Sequence, residues 1–192
     1  MANITVKYID TTPYVAHVHY DMGSESPCDW GNFDVKIFGC SDVNNAERSE
    51  FFDDNDNLNF NMVSKIRYGT AFPVTVRHYS GTDGGYYSVA DNVADADGFI
   101  LFDRTYVKGE SFDRRREYAK GDLETYEQWA NGEVYWVQIE TKDGREIDTL
   151  SGLYGTDGIK SYIEETVPDA ESVETIGHYD NYSGGGTYEI TL

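Results

Sequence analysis

The segment SFDRRREYAKGDLETYEQWANGEVYWVQIE, residues 111–140, decides the fold class of this chain. Its first part repeats apolar residues at the spacing of one helix face, namely Phe112, Ala119, Leu123, Tyr126 and Ala130. A stripe of this kind is typical of a helix that packs on a core. Ser111 is a suitable N-cap, and Gly132 ends the pattern. The segment therefore predicts a long helix over 111–130 and, over 133–140, a strand.

The rest of the chain reads mainly as short strands on either side of this helix. Alternating apolar and polar residues, bounded by turn residues, predict further strands over 4–8, 14–20, 33–39, 72–79, 86–90, 98–102, 145–150 and 188–192. Asp143-Gly144 predicts a hairpin turn before the strand 145–150. Short helices are expected over 44–52 and 157–167, whereas 60–68 fits either a helix or a strand.

Together these elements predict the α+β class. We expect a single domain over residues 1–192, in which a mostly antiparallel, twisted sheet packs against the long helix 111–130 and the shorter helix 157–167. The sequence has no internal repeat and no linker long enough to separate two domains. Residues 168–187 are polar and rich in glycine, so we expect this segment to be loosely attached.

The composition excludes several classes of protein. The chain has 192 residues, with 35 acidic residues against 15 Lys and Arg, for a net charge of -20. Aromatic residues make up 15%, which is too much apolar surface for a disordered acidic tail. The negative charge argues against direct binding to nucleic acid or to an anionic membrane, since both would repel it. No apolar run is long enough to cross a bilayer, and the first ten residues do not resemble a secretory signal.

The two cysteines, Cys28 and Cys40, are too few for a disulfide framework. They form either a single bridge or two free thiols, and free thiols are the expected state in a reducing cytoplasm. The choice depends on a strand geometry that the sequence does not show.

Negative charge is concentrated in the second half of the chain. Residues 122–192 carry 16 acidic and 3 basic residues. Residues four apart on a helix, or two apart on a strand, lie about 6–7 Å from each other, so rows of carboxylates can imitate the phosphates of a nucleic acid. The candidate partner-binding residues are Asp113, Glu117, Glu124, Glu127, Glu133, Glu140, Glu146, Asp148, Glu164 and Glu165. The alternative is that these acids only keep the protein soluble.

Patterns that would indicate catalysis or metal binding are short in this sequence. Glu140-Thr141-Lys142 matches the Glu-x-Lys half of a metal-dependent nuclease site, in which the carboxylate binds Mg²⁺ and the lysine stabilises the attacking water or the phosphate. His17 and His19 lie two apart on a predicted strand and so share a face, a spacing that can hold a metal ion. Neither pattern has further ligands at matching spacing. We therefore predict no catalytic residue, no metal ligand and no cofactor.

Three segments carry a further pattern: SPCDWGNF at 26–33, FPVTVRHYSG at 72–81, and LETYEQWANGEVY at 123–135, which continues to Gly155. In this order they resemble a family of small acidic proteins from bacteriophages, plasmids and integrative elements. The sequence departs from that family at 77–79, where Arg-His-Tyr replaces Asp-His-Ser, and at 150–151, where Leu-Ser replaces Cys-Trp. A role of that Asp or Cys would not carry over. The resemblance implies a mobile-element context and no particular mechanism.

The acidic surface and this resemblance predict a non-catalytic phage or mobile-element protein in the cytoplasm of a bacterial host. We expect its partner to be a host protein with a cationic nucleic-acid-binding cleft, and its action to be that of a nucleic-acid mimic that inhibits a host defence nuclease, of the anti-restriction or anti-CRISPR type. We expect no direct contact with nucleic acid or membrane. Two alternatives stay open: a metal-dependent nuclease-like enzyme that uses Glu140 and Lys142, and a structural or assembly protein of a virion.

Overall fold

The computed structural model describes residues 2–6, 14–39, 45–78, 85–141, 144–167, 174–178 and 187–191. In chain order the elements are β1 (Ala2–Val6), β2 (Tyr14–Tyr20), β3 (Phe33–Phe38), β4 (Asn45–Ala46), α1 (Phe60–Arg67), β5 (Ala71–His78), β6 (Gly85–Val89), β7 (Gly98–Phe102), α2 (Phe112–Ala130), β8 (Val134–Thr141), β9 (Glu146–Tyr154), α3 (Gly155–Thr166), β10 (Glu174–His178) and β11 (Thr187–Thr191). The chain contains three α-helices together with mainly antiparallel sheets, which confirms the predicted α+β class.

The chain divides into two compact units. One, which we call the inserted unit, is Glu25–Asn131, and the other, the discontinuous unit, combines Met1–Ser24 with Gly132–Leu192. The sequence predicted one sheet on one long helix, whereas the structure distributes the strands over a main sheet in each unit and a separate β10–β11 pair. Strand periodicity shows that a segment has a buried face, but it does not show which sheet the strand joins.

The inserted unit is built on a five-stranded sheet with the order β4-β3-β7-β5-β6. All its pairs are antiparallel except β3–β4. Its central strand, β7, is the apolar run GFILF, and both Phe99 and Ile100 are fully buried although they point to opposite faces. Ala119, Leu123 and Tyr126 of α2 cover the Ile100 face. Met62 of α1 and the residues around Phe51 and Phe52 cover the Phe99 face.

The long helix lies where the sequence predicted it. Ser111 caps α2, because its Oγ accepts a hydrogen bond from the backbone N–H of Arg114 at 3.2 Å. The central part of the apolar stripe is buried, but Phe112 in the first turn is 48% exposed. The ambiguous segment 60–68 forms the helix α1. The helix predicted over 44–52 is wrong, since this segment forms the short strand β4 and the 3-10 turn Arg48–Glu50.

The discontinuous unit contains a four-stranded antiparallel sheet with the order β1-β2-β8-β9. The helix predicted over 157–167 is present as α3 and starts two residues earlier. Its apolar face, which includes Ile159 and Ile163, packs on a cluster formed by Val18, Val137 and Ile139 of the sheet. Within the predicted loose segment 168–187, residues 174–178 form β10, which pairs with β11; residues 168–173 and 179–186 lie outside the described residues.

The predictions about the two cysteines and about membrane-spanning helices are tested only within the described residues. Cys28 is half-buried next to the α2 core, whereas Cys40 lies outside the described residues, so a bridge between them stays a hypothesis. Among the described helices, none has the length and hydropathy needed to cross a membrane.

Candidate functional site

The ten predicted partner-binding residues divide between the two units. Asp113, Glu117, Glu124 and Glu127 belong to α2 of the inserted unit. The other six belong to the discontinuous unit, on or beside β8, β9 and α3: Glu133, Glu140, Glu146, Asp148, Glu164 and Glu165.

Two of the acids on α2 have roles inside the protein. Glu117 forms an ion pair with Arg114 at 2.7 Å. Asp113 lies exposed in the first turn of α2, where a negative charge stabilises the helix through its dipole. Both residues therefore have a structural explanation that needs no partner.

Glu127 has the clearest structural role on this helix. Its Oε2 accepts a hydrogen bond from the backbone N–H of Tyr87 at 2.7 Å, and its side chain is only partly exposed. Of the four acids predicted on α2, Asp113 and Glu124 are exposed and make no hydrogen bond or ion pair within the described residues. The bonds of Glu117 and Glu127 within the protein interrupt the row of carboxylates predicted on α2, and a role of this helix in partner binding stays a prediction.

Three of the residues that suggested metal or nuclease chemistry lie on β2 and β8, namely His17, His19 and Glu140. His17 Nε2 and Glu140 Oε1 share a hydrogen bond of 2.8 Å, and both side chains are largely buried. His19 stacks on Trp136 with ring centroids 4.0 Å apart, and its pKa is lowered by burial first and also by the nearby His17. His17 and His19 do share a face, but no group of three His, Cys, Asp or Glu residues that could hold a metal ion occurs in the described ranges. Lys142, the other half of the nuclease motif, lies outside them.

Four of the predicted acids lie exposed on two successive elements of the discontinuous unit. Glu146 and Asp148 belong to β9, and Glu164 and Glu165 belong to the last turns of α3. We call these four residues the β9–α3 acidic surface. Burial, followed by the negative charge of Asp148 and also that of Glu146, raises the pKa of Tyr162 to about 12. Tyr162 belongs to α3, which is in contact with β9.

Little positive charge is available to neutralise this surface. The discontinuous unit contains 15 acidic and 4 basic residues. Within the described residues, none of the four carboxylates forms an ion pair with Lys or Arg. Glu146 accepts a hydrogen bond from Gln138 Nε2 at 2.8 Å, which leaves its charge in place.

The position of Glu164 and Glu165 opposes the dipole of their own helix. The C-terminal end of a helix carries a partial negative charge, and acidic side chains there are destabilising by about 0.3–1 kcal/mol each. No basic residue lies in the last turn of α3 to offset this. The two residues therefore do not increase the stability of α3, and they add their charge to the negative end of its dipole.

The strand β9 also exposes apolar side chains, which the sequence did not indicate. It is an edge strand, and every residue from 146 to 152 is exposed. Ile147 is 38% and Leu150 45% exposed. The sequence predicted an ordinary return strand here, because a strand pattern carries no information about whether another element covers the strand.

A break in the β8–β9 pairing changes the predicted row of carboxylates. Glu140 pairs with Glu146, but the adjacent Ile139 pairs with Asp148, so one extra residue is accommodated on β9. Since Ile139 and Glu140 face opposite sides of the sheet, Glu146 and Asp148 do as well. Asp148 therefore lies on the face that α3 covers, as Ile139 does, whereas Glu146 lies on the opposite face beside Gln138, so the β9–α3 acidic surface extends around the edge strand. Glu133, just before β8, is exposed, and its backbone carbonyl accepts a hydrogen bond from the N–H of Gly155 at 2.9 Å.

Comparison with known proteins adds no relative. The chain matches no protein-family model, no curated protein and no solved structure. Its resemblance to the small acidic proteins of mobile elements stays a prediction.

Proposed function

We propose that the protein has a non-catalytic role and binds a positively charged surface of a host protein through the β9–α3 acidic surface. The observation that carries the proposal is the placement of Glu164 and Glu165 at the C-terminal end of α3, where they oppose the helix dipole and no basic residue lies in the last turn. Charges that reduce the stability of their own helix are better explained by an interaction with another molecule than by folding. Solubility alone does not require them at this position, since the unit has many other acids.

Exposed apolar side chains beside the acids support a protein partner. Ile147 and Leu150 lie on the same edge strand as Glu146 and Asp148. Carboxylates steer a cationic partner during its approach and contribute to specificity. Apolar contacts contribute roughly 25 cal/mol per Å² removed from water, and this contribution does not weaken when salt screens the charges. A strand edge that carries both therefore suits a protein surface better than a free polycation.

The specific form that we propose is competition with nucleic acid. Protein clefts that hold nucleic acid are lined by Lys and Arg, and an acidic surface can occupy them in its place. The proposed partner is a defence nuclease of a bacterial host, and the proposed compartment is the host cytoplasm. This form rests on the resemblance to proteins of phages, plasmids and integrative elements, whereas the binding surface rests on the charges and exposure of β9 and α3.

Affinity capture from a bacterial host lysate tests this function. Three baits are compared: the unaltered protein, the double variant Glu164→Lys and Glu165→Lys, and the control double variant Asp29→Lys and Asp54→Lys. The control changes the net charge equally at exposed positions of the inserted unit. We expect a nucleic-acid-binding protein to be retained by the unaltered and control baits only, and to be released by salt or by competing duplex DNA.

Two results would contradict the proposal. Equal capture by all three baits would show that the β9–α3 acidic surface is not the binding site. Capture of virion components alone would favour the structural alternative. A separate variant, Glu140→Ala, should leave capture of the partner unchanged. If the protein has a nuclease activity and Glu140→Ala abolishes that activity, the enzyme alternative is favoured.

A further inference from the structure

A pocket in the inserted unit collects positive charge in an otherwise acidic protein. Its volume is about 440 Å³, and it lies between the residues that follow α1 and the turn that precedes α2. Its lining residues are Tyr68, Thr70, Arg104, Lys108, Gly109 and Arg115. Three of these six are cationic and none is acidic, although the whole chain has 35 acidic residues against 15 basic ones.

Half of the other cations of the unit are neutralised by an ion pair, whereas within the described residues the cations of this pocket are not. Lys36, Arg48, Arg114 and Arg116 each form an ion pair with a carboxylate at 3.2 Å or less. Within the part of the chain that the structure describes, neither Arg104 nor Lys108 forms one. Like charges that share a concave site repel each other, and a bound anion removes that cost.

The third cation is held rigidly by backbone carbonyl groups. Arg115 donates from Nε to the carbonyl oxygen of Glu110 at 3.0 Å and from Nη1 to the carbonyl oxygen of Tyr68. A guanidinium has five N–H groups, so others are left for a ligand. Because the side chain is already ordered, binding costs it little conformational entropy.

Gly69 explains how the chain after α1 can approach Arg115 so closely. Its φ of +65° lies in the left-handed region, and a Cβ atom there would come within 3.0 Å of the Phe112 ring and 3.3 Å of Arg115 Cδ. A larger residue would push the wall that carries Tyr68 and Thr70 away from α2. A glycine at position 69 therefore allows the segment with Tyr68 and Thr70 to form one wall of the pocket close to α2.

The residue types of the pocket indicate the class of ligand. Arg and Lys together are the usual side chains that bind phosphate, since a guanidinium donates paired hydrogen bonds and an ammonium supplies a compact charge. Tyr68 is 64% exposed and offers a ring face on which a planar group can stack. Pockets of roughly 300–1,000 Å³ hold small molecules, so this one is larger than a phosphate alone requires.

We infer that this pocket binds a phosphate-bearing small molecule of mononucleotide size, with its phosphate on Arg104, Lys108 and Arg115 and its planar group on Tyr68. The site uses no residue of the β9–α3 acidic surface, so its test is independent of the function proposed above. A mononucleotide differs from a nucleic acid strand in carrying few charges, and the long-range repulsion from the acidic surface is correspondingly small.

Calorimetric titration of the full chain tests the inference, with AMP, inorganic phosphate and adenosine as probes. It is done at about 0.15 M salt, where charges beyond about 8 Å are screened but direct contacts persist. We expect saturable binding of AMP, weaker binding of phosphate and no binding of adenosine. Arg104→Ala and Lys108→Ala should each weaken AMP binding about tenfold or more, which corresponds to the loss of one charge-assisted contact.

Matched variants separate this site from a general effect of charge. Arg77→Ala removes one exposed cation from β5, outside the pocket, and should leave the affinity for AMP unchanged. Tyr68→Ala should weaken the binding of AMP but not of phosphate. The inference is overturned by equal losses in Arg77→Ala and Arg104→Ala, by adenosine binding as tightly as AMP, or by no saturation with AMP up to about 10 mM. AMP binding no tighter than phosphate would overturn the role of Tyr68.

Discussion

Glu127 of α2 accepts a hydrogen bond from the backbone N–H of Tyr87 at 2.7 Å, and Tyr87 lies on the edge strand β6. One turn further along, Asn131 Oδ1 accepts from the N–H of Gly85 at 2.9 Å, and Asn131 Nδ2 donates to the carbonyl oxygen of Gly85 at 3.3 Å. The free edge of the five-stranded sheet is thus occupied by side chains from the C-terminal part of α2. This arrangement satisfies polar backbone groups that would otherwise be open to pairing with another chain.

We predict that Glu127→Ala lowers the free energy of unfolding by about 1.5–3 kcal/mol, the usual range for a hydrogen bond to a charged group. The control is Glu124→Ala, one turn away on the same helix and exposed, which should change it by no more than about 0.5 kcal/mol. Chemical denaturation measures both. Equal effects of the two variants would show that the bond to Tyr87 is not important for stability.

A second prediction concerns the pH dependence of stability through Asp122. Burial raises the pKa of Asp122 from 3.8 to about 6, although a hydrogen bond from the Tyr106 hydroxyl, at 3.5 Å, acts in the opposite direction. Its Oδ2 is buried and has no hydrogen-bond partner among the described residues. The folded state therefore binds the proton more tightly than the unfolded state does. Stability falls as the pH rises from about 4 through about 6, and the loss is complete above this range.

Asp122→Asn should remove this part of the pH dependence and raise the free energy of unfolding near neutral pH. We expect a gain of about 1–2 kcal/mol, because partial exposure of the carboxylate screens its charge and reduces the full effect. The control Glu124→Gln, an exposed acid on the same helix, should keep the dependence. Denaturation curves from about pH 4 to pH 8 measure both. An unaltered slope in Asp122→Asn would show that another group titrates.

A third prediction follows from the acids at the C-terminal end of α3. Glu165→Lys replaces a charge that opposes the helix dipole by one that favours it, so we expect a gain in the free energy of unfolding of about 0.3–1 kcal/mol. Asp157→Lys is the matched variant in the first turn of the same helix, where the dipole predicts a loss of similar size. Thermal unfolding measures both. Gains in the two variants alike would indicate that net charge, and not the helix dipole, controls stability.

A fourth prediction concerns the close approach of two strands at Gly98 on β7. A Cβ atom at this position would lie 2.1 Å from the carbonyl oxygen of Lys36 and 2.8 Å from Ile37 Cδ1 on β3. Gly98→Ala should therefore lower the free energy of unfolding by about 3 kcal/mol or more. On α2, a Cβ atom at Gly121 would have no atom within 4 Å apart from its chain neighbours and the nearby helix backbone, so Gly121→Ala should instead raise the free energy of unfolding by about 0.4–1 kcal/mol. Urea denaturation of both variants checks the opposite signs.

The amino-acid sequence determined the elements whose signals are local. The period of α2, its Ser111 cap and the strand that follows it depend on residues within a few turns of each other. The α+β class and the negative charge follow from such local patterns and from composition. For the same reason the helix predicted over 44–52 failed: its spacing fits a helix, but the aromatic side chains of Phe51 and Phe52 are drawn into a cluster around Phe99 that is distant in sequence.

Only the tertiary structure decided which acids are available to a partner. Glu127 and Glu140 look like any other carboxylate in the sequence, yet one binds the backbone of Tyr87 and the other His17, which lies 123 residues away. The exposure of Ile147 on β9 and the cationic pocket around Arg115 likewise depend on contacts between distant segments. The periodicity of the sequence shows which face of an element is apolar. The hydrogen-bond partner of a polar side chain depends on how the elements pack together.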